Sequence, residues 1–407
     1  MERRFSKTIE RAQSSAVRDI LKLTQSSKVL SFAGGLPAED SFPVEAIREA
    51  YERVFARGKG ALQYGVTEGV PALREWLTSF LAEKGIATSV DRLLLTTGSQ
   101  QAIDLAFRVM IDPGDVVLVE RPTYLAALQA LSLADGRAVE VDSDDEGMLP
   151  DDLAAKLQAH RPKIVYVTPT FSNPAGKTWS PARRQTLAEL ARKHGALVIE
   201  DDPYGDIRFD ETKRVDSIYS IDAAYADASG ESGNALYLGS FSKTVAPALR
   251  TGFAAGPVDV LRMMAKAKQA SDLHSSAVDQ LALFELATGW DVAAHIGLIR
   301  RMYRERMEGF VEALTGTIGD RLRWNRPTGG MFLWASLPET HVAADLLKLA
   351  VEEGVAFVPG EPFYAGAPAR NTLRLNFTHT PPALVPEAFA RLSRAMERYA
   401  VEIKVKS

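Results

Sequence analysis

Cysteine is absent from this chain of 407 residues. Its absence excludes disulfide bonds, thiolate catalysis and zinc sites with cysteine ligands. The six histidines show neither the His-Glu-x-x-His spacing nor a cluster with acidic residues, so no metal site is predicted. The net charge is only −4, and no cluster of Lys and Arg indicates a surface for nucleic acid.

Long apolar runs are also absent. No stretch approaches the ~20 residues of a membrane span, and the charged N-terminal residues do not lead into the apolar block of a secretory signal. We therefore expect a cytoplasmic protein without a membrane partner. The composition, 46% hydrophobic and 25% charged, is typical of a globular chain. Because single cores rarely grow beyond ~250–300 residues, we expect two lobes.

Between residues 92 and 290, short apolar strands alternate with helices. Strands are predicted at 93–96, 116–119, 164–167, 196–199 and around Tyr237, and helices at 101–110, after Tyr124 and at 181–193. Continuous apolar strands separated by helices predict a parallel sheet that is covered on both faces. No regular pattern is visible across residues 205–234.

The two ends of the chain follow a different pattern. Helices are predicted at 13–25, 43–57, 70–84, 291–315, 341–353 and up to 402, and strands near 321–325, 330–336, 355–358 and 372–377. This pattern predicts a smaller α+β domain after the large one. The expected boundaries are 1–45 for an N-terminal segment that packs with the small domain, 46–290 for the large domain and 291–407 for the small domain.

A lysine follows the predicted strand around Tyr237, in Gly239-Ser240-Phe241-Ser242-Lys243. Burial lowers the pKa of a lysine, and a neutral amine can form an imine with a carbonyl compound. Taken alone, Lys243 is explained at least as well by a lysine whose ammonium group lies in water at the mouth of the sheet.

Other strand ends carry residues that complement this lysine. Gly98-Ser99-Gln100 opens a helix and can hold a phosphate at its N-terminus, although a helix cap is the simpler explanation. Asp201 directly follows a buried strand, where a carboxylate needs a cationic partner. With Tyr204 and Arg250, these residues meet the requirements of pyridoxal 5'-phosphate.

At these positions the chain resembles the class I, fold-type I pyridoxal-phosphate-dependent aminotransferases, and it does so over nearly its whole length. The matching residues stand in the order of the family: Tyr64, Gly98-Ser99-Gln100, Tyr124, Asn173-Pro174-x-Gly176, Asp201-x-x-Tyr204, Ser240-x-Ser242-Lys243, Arg250 and Arg374. The resemblance implies an α/β fold, with a mostly parallel seven-stranded sheet in the large domain and a smaller α+β domain.

The resemblance also implies roles around the cofactor ring. Lys243 would bond covalently to pyridoxal phosphate and carry the proton, and Asp201 would pair with the pyridine nitrogen. Asn173 and Tyr204 would contact the phenolic oxygen, and Tyr124 would stack on the ring. Lys243, Asp201 and Tyr204 are thus the predicted catalytic residues.

Two further groups of residues follow from the resemblance. The phosphate would be held by Ser99, Gln100, Ser240, Ser242 and Arg250, and by Tyr64 of a second subunit, so a homodimer with shared active sites is expected. Substrate would be bound by Arg374, which grips the α-carboxylate through its planar fork, and by Asn173, Gly35, Tyr64 and Arg18.

Residues 15–25 and 31–37 resemble the N-terminal segment of the lysine-biosynthetic 2-aminoadipate aminotransferases, a subgroup related to the kynurenine aminotransferases. In that subgroup a helix closes over the substrate, and the arginine matching Arg18 pairs with the distal carboxylate. The implied reaction is ping-pong amino transfer between 2-aminoadipate or glutamate and 2-oxoglutarate. A shift of the same helix would instead present Ile20 and Leu21 to leucine or aromatic substrates.

Two alternatives to this substrate and reaction remain open, and a third is disfavoured. Arg18 can be an exposed helix residue of a broad aromatic or branched-chain aminotransferase. The same scaffold also supports pyridoxal-phosphate lyases and decarboxylases, because the fold does not determine which bond breaks. A transcriptional regulator with an aminotransferase-like domain would need a basic helix-turn-helix module, for which about thirty residues before Ser31 leave too little room.

Overall fold

The computed structural model describes residues 3–11, 20, 29–210, 214–229 and 233–406. The predicted helix 13–25 lies outside the described residues except for Ile20, which is buried. The α-helices are Lys7–Arg11, Val44–Ala56, Pro71–Ala82, Gly98–Met110, Leu125–Leu133, Pro150–His160, Pro181–His194, Ile218–Ser229, Val258–Ser271, Ala277–Gly289, Val292–Thr317, Ala343–Glu352 and Val385–Lys406.

The strands are numbered in chain order. They are β1 (Leu30–Ser31), β2 (Leu93–Thr96), β3 (Val116–Glu120), β4 (Arg137–Val141), β5 (Ser143–Asp144), β6 (Gly147–Met148), β7 (Ile164–Val167), β8 (Leu197–Asp201), β9 (Ala235–Ser240), β10 (Gly252–Ala255), β11 (Arg323–Trp324), β12 (Phe332–Ser336), β13 (Val355–Ala356), β14 (Val358–Pro359) and β15 (Thr372–Asn376).

The predicted seven-stranded, mostly parallel sheet is confirmed. Its strand order is β2-β10-β9-β8-β7-β3-β4, and β10 runs antiparallel to both of its neighbours. The other pairs are parallel, so β3, β7, β8 and β9 end at one edge of the sheet. This common edge explains how polar residues from distant parts of the sequence come together.

Both faces of the sheet are covered by helices. On one face, Leu94, Ile164 and Leu238 pack with the helices Gly98–Met110 and Val258–Ser271. On the other face, alternate residues of the same strands pack with a second group of helices that includes Pro71–Ala82 and Pro181–His194. Burial on both faces accounts for the uninterrupted apolar strands in the sequence.

A second sheet has the order β11-β12-β15-β14 and packs against the helices Val292–Thr317 and Val385–Lys406 around a core that includes Phe310 and Phe389. Strand β1 pairs in parallel with β13, with Leu30 opposite Val355. Phe32 is fully buried in the same core. The N-terminal segment from residue 29 thus contacts the elements that follow residue 290.

The structure contains elements that the sequence patterns did not reveal. Strand β4 is only half buried, and β10 consists of Gly-Phe-Ala-Ala, so neither carries the apolar run that marked the other strands. The helix Ile218–Ser229 lies within 205–234, where no pattern was visible. Its apolar residues do not form a narrow stripe, so helical periodicity is weak there.

Candidate active site

A cavity of about 280 Å³ lies where β7, β8 and β9 end. Of the predicted site residues that the structure describes, all except Tyr64 line it, namely Gly35, Ser99, Gln100, Tyr124, Asn173, Asp201, Tyr204, Ser240, Ser242, Lys243, Arg250 and Arg374. Gly35 and Arg374 come from the two ends of the chain, and the others come from the large sheet and its loops. The cavity therefore lies between the seven-stranded sheet and segments from the two ends of the chain.

Lys243 reaches the cavity from the turn that follows β9. Its Nζ donates a hydrogen bond of 2.9 Å to the carbonyl oxygen of Gly35. Burial, with smaller contributions from the positive charges of Arg374 and Arg250, lowers the pKa of Lys243 to about 8. A much larger fraction of this amine is therefore neutral, and nucleophilic, than of an exposed lysine at the same pH.

Asp201 is the last residue of β8 and is only 2% exposed. Its Oδ2 accepts a hydrogen bond of 2.8 Å from the hydroxyl of Tyr166, whereas Oδ1 is buried and has no hydrogen-bond partner among the described residues. Burial raises the pKa of Asp201 to about 7, the bond from Tyr166 opposes this rise, and the charge of Asp202 adds to it. A carboxylate in this position would be stabilised by a cation in the cavity.

Arg374 lies in the middle of β15 and is equally buried. Its Nη1 donates to Asn173 Oδ1 at 2.7 Å, and its Nη2 donates to the carbonyl oxygen of Ala33 at 2.8 Å. Its guanidinium lies 4.3 Å from the ring centre of Phe332 and 5.2 Å from that of Phe363. The two hydrogen bonds and the rings hold the guanidinium plane in one orientation.

Hydroxyl groups and a guanidinium surround the start of the helix Gly98–Met110. Ser240 Oγ donates to Ser242 Oγ at 3.0 Å, and Arg250 Nη1 donates to the same Ser242 Oγ at 3.4 Å. Arg250 Nη2 also donates to the carbonyl oxygen of Thr97, the residue before the helix, at 3.3 Å. The helix start, the hydroxyls and the arginine form an environment that favours an anion.

Gly98 is required for this approach of Arg250. Its φ angle is +74°, and a Cβ atom at this position would lie 2.6 Å from Arg250 Nη2. Any other residue would therefore strain the backbone and push the guanidinium away from the helix start.

Two tyrosines complete the walls of the cavity. Tyr124 immediately precedes the helix Leu125–Leu133, and burial raises its pKa to about 12. Tyr204 is buried beside Asp201, and its ring packs edge-on against Phe332 at 5.8 Å. Burial also raises the pKa of Tyr204, so both hydroxyls stay protonated near neutral pH and can donate hydrogen bonds.

Among the described residues, Tyr64 is the predicted site residue that does not line this cavity. Tyr64 is 78% exposed and contacts His274, with 5.8 Å between ring centres. Arg18 lies outside the described residues. Ile20, the neighbouring residue that is described, packs in a cluster with Phe363, which does line the cavity.

Some residues that shape this site carry no clear signal in the sequence. Tyr166 belongs to β7 and was hidden in an apolar run, where only its polar hydroxyl distinguishes it from its neighbours. Phe363 follows the short strand β14, and its carbonyl oxygen accepts a hydrogen bond of 2.8 Å from the backbone N–H of Thr123. No local signal marks Phe363, because the packing of two distant loops places it.

Within the described ranges, no group of three or more His, Asp or Glu residues is arranged to hold a metal ion. In the same part of the chain, no single helix has the length and apolar character to cross a membrane. The helices Ala277–Gly289 and Val292–Thr317 meet this test only as a pair, and they are bent by 92°.

The sheet topology, with a lysine, an arginine and a carboxylate at one edge, is that of the fold-type I aminotransferases. The family model for "Aminotransferase class I and II" matches residues 27–392. This chain therefore belongs to that family and is an aminotransferase.

Three relatives show how close the similarity is. The aromatic-amino-acid aminotransferase 1 of Thermococcus litoralis is 40% identical over 97% of this chain and 94% of its own length. The 2-aminoadipate transaminase of Thermus thermophilus is 39% identical over 97% of this chain and 96% of its own length. The crystal structure of the α-aminoadipate aminotransferase LysN from Thermus thermophilus, complexed with N-(5'-phosphopyridoxyl)-L-leucine, matches with a TM-score of 0.89 and 37% identity over 98% of each chain.

Proposed function

We propose that this aminotransferase uses pyridoxal 5'-phosphate and transfers an amino group from an L-amino acid to 2-oxoglutarate in a ping-pong reaction. The observation that carries the proposal is the buried Oδ1 of Asp201, which has no hydrogen-bond partner among the described residues in the cavity that also holds Lys243. The protonated ring nitrogen of the cofactor would supply both the missing hydrogen bond and the missing positive charge.

The residues around the helix start suit the phosphate of the same cofactor. Arg250, Ser240 and Ser242 offer a guanidinium and two hydroxyls, and Ser99 and Gln100 stand in the first turn of the helix Gly98–Met110. Guanidinium groups and helix N-termini both favour a phosphate dianion. One cofactor would thus satisfy the anion-binding region and the carboxylate together.

The cofactor, when bound, supplies an electron sink that stabilises negative charge at the substrate Cα. Lys243 would remove the proton from Cα and return it, because a large fraction of its amine is neutral near pH 8. Arg374 would bind the α-carboxylate, and Asn173 and Tyr204 would donate hydrogen bonds to the phenolic oxygen of the ring. Tyr124 would stack on the ring face.

For the amino donor we propose 2-aminoadipate and glutamate, with Arg18 pairing with the side-chain carboxylate. The resemblance of the N-terminal segment and the similarity to the Thermus 2-aminoadipate transaminase support this choice. Leucine and aromatic amino acids form the second candidate class. The Thermococcus aromatic-amino-acid aminotransferase and the leucine adduct bound in LysN favour them, as does the packing of Ile20 with Phe363 at the cavity.

We further propose a homodimer in which Tyr64 completes the phosphate site of the second subunit. The exposure of Tyr64, and of its neighbours Leu62 and Val66, supports a partner at this surface. The proposed division into residues 1–45, 46–290 and 291–407 is supported by the pairing of β1 with β13.

The experiment that tests the function is a paired assay with purified protein and added pyridoxal phosphate. Each candidate amino acid other than glutamate is incubated with and without 2-oxoglutarate, and glutamate and the new oxo acid are measured; glutamate itself is tested with a different oxo acid as acceptor. We expect repeated turnover, with equal amounts of both products, only when an oxo-acid acceptor is present. Without an acceptor, the ping-pong reaction is expected to stop at about one equivalent of new oxo acid per bound cofactor. Release of ammonia or carbon dioxide without an oxo acid would instead indicate a lyase or a decarboxylase.

A further inference from the structure

Tyr166 is a fully buried tyrosine in the middle of the large sheet. It stands on β7 opposite Ile199 of β8, and its ring packs 6.3 Å from that of Phe107. Its hydroxyl lies 2.8 Å from Asp201 Oδ2 and 3.4 Å from Thr168 Oγ1. Tyr166 does not line the cavity, so it contacts the site through Asp201.

The direction of this hydrogen bond follows from the burial of both groups. Burial and the neighbouring charge of Asp201 raise the pKa of Tyr166 well above its usual range. The hydroxyl therefore stays protonated and is the donor of this hydrogen bond. The donated bond occupies Oδ2 and leaves Oδ1 without a partner among the described residues. Because one oxygen is fixed, the rotation of the carboxylate is fixed as well, and Oδ1 is held ready for a donor in the cavity.

We infer that Tyr166 is a positioning residue that keeps Asp201 ionised and turned so that Oδ1 meets the ring nitrogen of the cofactor. This inference rests on the proposed function, because it assumes that Asp201 binds that nitrogen. The hydrogen bond favours the carboxylate over the carboxylic acid, and only the carboxylate pairs with a protonated nitrogen. Tyr166 itself touches neither the cofactor nor the substrate.

The chain contains a matched control for this pair. Tyr237 on β9 donates to Asp202 Oδ2 at 3.0 Å, so a second buried tyrosine of the same sheet binds the carboxylate next in sequence. Tyr237 packs on the opposite face of the sheet from Tyr166, and Asp202 does not line the cavity. Replacing Tyr237 by Phe removes an equivalent hydroxyl without altering the proposed contact with the cofactor.

The test measures how apoenzyme binds two ligands by calorimetry. One is pyridoxamine 5'-phosphate, which does not bond covalently to Lys243, and the other is its analogue with a carbon in place of the ring nitrogen. We expect Tyr166→Phe to reduce the affinity for pyridoxamine phosphate at least about tenfold and to change the affinity for the carbon analogue less than about twofold. Tyr237→Phe is expected to change both by less than about twofold, and circular dichroism checks that the variants are folded.

A double-mutant cycle with Asp201→Asn separates this role from a general structural effect. If Tyr166 acts through Asp201, then Tyr166→Phe has little further effect on the affinity for the nitrogen ligand once Asp201 is replaced. If Tyr166→Phe reduced the affinity for both ligands equally, or for neither, the inference would be overturned. Wild-type apoenzyme that binds both ligands equally would overturn the ring contact of Asp201 itself, and failure to bind either would overturn the proposed cofactor.

Discussion

Arg374 and Asn173 are 201 residues apart in the sequence, yet Arg374 Nη1 donates a hydrogen bond of 2.7 Å to Asn173 Oδ1. The second acceptor of the guanidinium, the carbonyl oxygen of Ala33, is also uncharged. No carboxylate forms an ion pair with Arg374 within the part of the chain that the structure describes. The guanidinium is thus oriented by neutral groups while its charge remains available for a carboxylate ligand.

This arrangement leads to the first prediction, for Arg374→Gln. Loss of the guanidinium that binds the α-carboxylate is expected to reduce kcat/KM for both the amino acid and the oxo acid about 100-fold or more, which corresponds to ~2.7 kcal/mol. Arg370→Gln is the control, because Arg370 is exposed, stands four residues before Arg374 and pairs with Glu361. Steady-state kinetics showing similar small losses for both variants would contradict the assignment of Arg374.

The second prediction concerns Lys243→Ala. Removal of the proton carrier is expected to lower turnover by at least about 10³-fold, while pyridoxamine phosphate still binds through the phosphate site. Borohydride treatment followed by mass spectrometry is expected to attach the cofactor to wild-type protein, which should be yellow, and not to the variant. Lys348→Ala, at an exposed lysine, is expected to behave as wild type. Normal turnover of Lys243→Ala would refute its catalytic role.

The third prediction is the pH dependence of stability through Asp201. Burial raises the pKa of this carboxyl from 3.8 to about 7 in the folded protein. Its favourable contribution to the free energy of unfolding is therefore fully present below pH 3.8 and is lost as the pH rises through 7. Apoenzyme with Asp201→Asn is therefore expected to be more stable than wild-type apoenzyme at pH 8, by at least ~1.4 kcal/mol, the equivalent of one pKa unit.

Denaturant unfolding at several pH values checks this expectation. The advantage of the Asn variant should shrink steadily between pH 8 and pH 5. Because Glu120 and Glu200 also have a pKa raised to about 7 by burial, the difference between the two proteins, and not the wild-type curve alone, isolates Asp201. An advantage that is independent of pH would show that Asp201 does not titrate in this range.

The fourth prediction concerns the substrate and uses Arg18→Gln. With 2-oxoglutarate as acceptor, kcat/KM for 2-aminoadipate is expected to fall at least about tenfold, or ~1.4 kcal/mol, because a charge-assisted pair is lost. The value for leucine is expected to change little. Because glutamate is formed from 2-oxoglutarate, its reaction is measured with a different oxo acid. Equal effects on 2-aminoadipate and leucine would show that Arg18 does not bind the side-chain carboxylate.

The fifth prediction concerns the homodimer and Tyr64. Sedimentation is expected to show a dimer, and Tyr64→Phe is expected to weaken cofactor binding about tenfold by removing one hydrogen bond to the phosphate. Mixing Tyr64→Phe with Lys243→Ala subunits provides a sharper test, because one site of each mixed dimer would contain both wild-type residues. At a cofactor concentration too low to fill the sites of the Tyr64→Phe parent, recovery of turnover above that of either parent is expected only if the two subunits share their sites. A fully active monomer would contradict the proposal.

Much of the site follows from local sequence. Asp201 is the last residue of β8 and Lys243 lies in the turn after β9, and because these strands are parallel, their ends meet at one edge. Tyr166 was missed because a buried strand tolerates a tyrosine among its apolar residues, and only the three-dimensional structure shows the acceptor for its hydroxyl. The edge strand β4 was missed for a related reason, since partial burial weakens the hydrophobic pattern.

The sequence by itself therefore determined the layered fold, the strand-end residues and, through the resemblance, the family. These features depend on periodicity and on residue order, which are properties of neighbouring residues. The tertiary structure alone decided that Lys243 donates a hydrogen bond to the carbonyl oxygen of Gly35, that Ala33 and Asn173 orient Arg374, and that Phe363 lies beside the same arginine. These contacts join residues that are far apart in the sequence. Their geometry is determined by the packing of distant segments against one another, which local patterns do not encode.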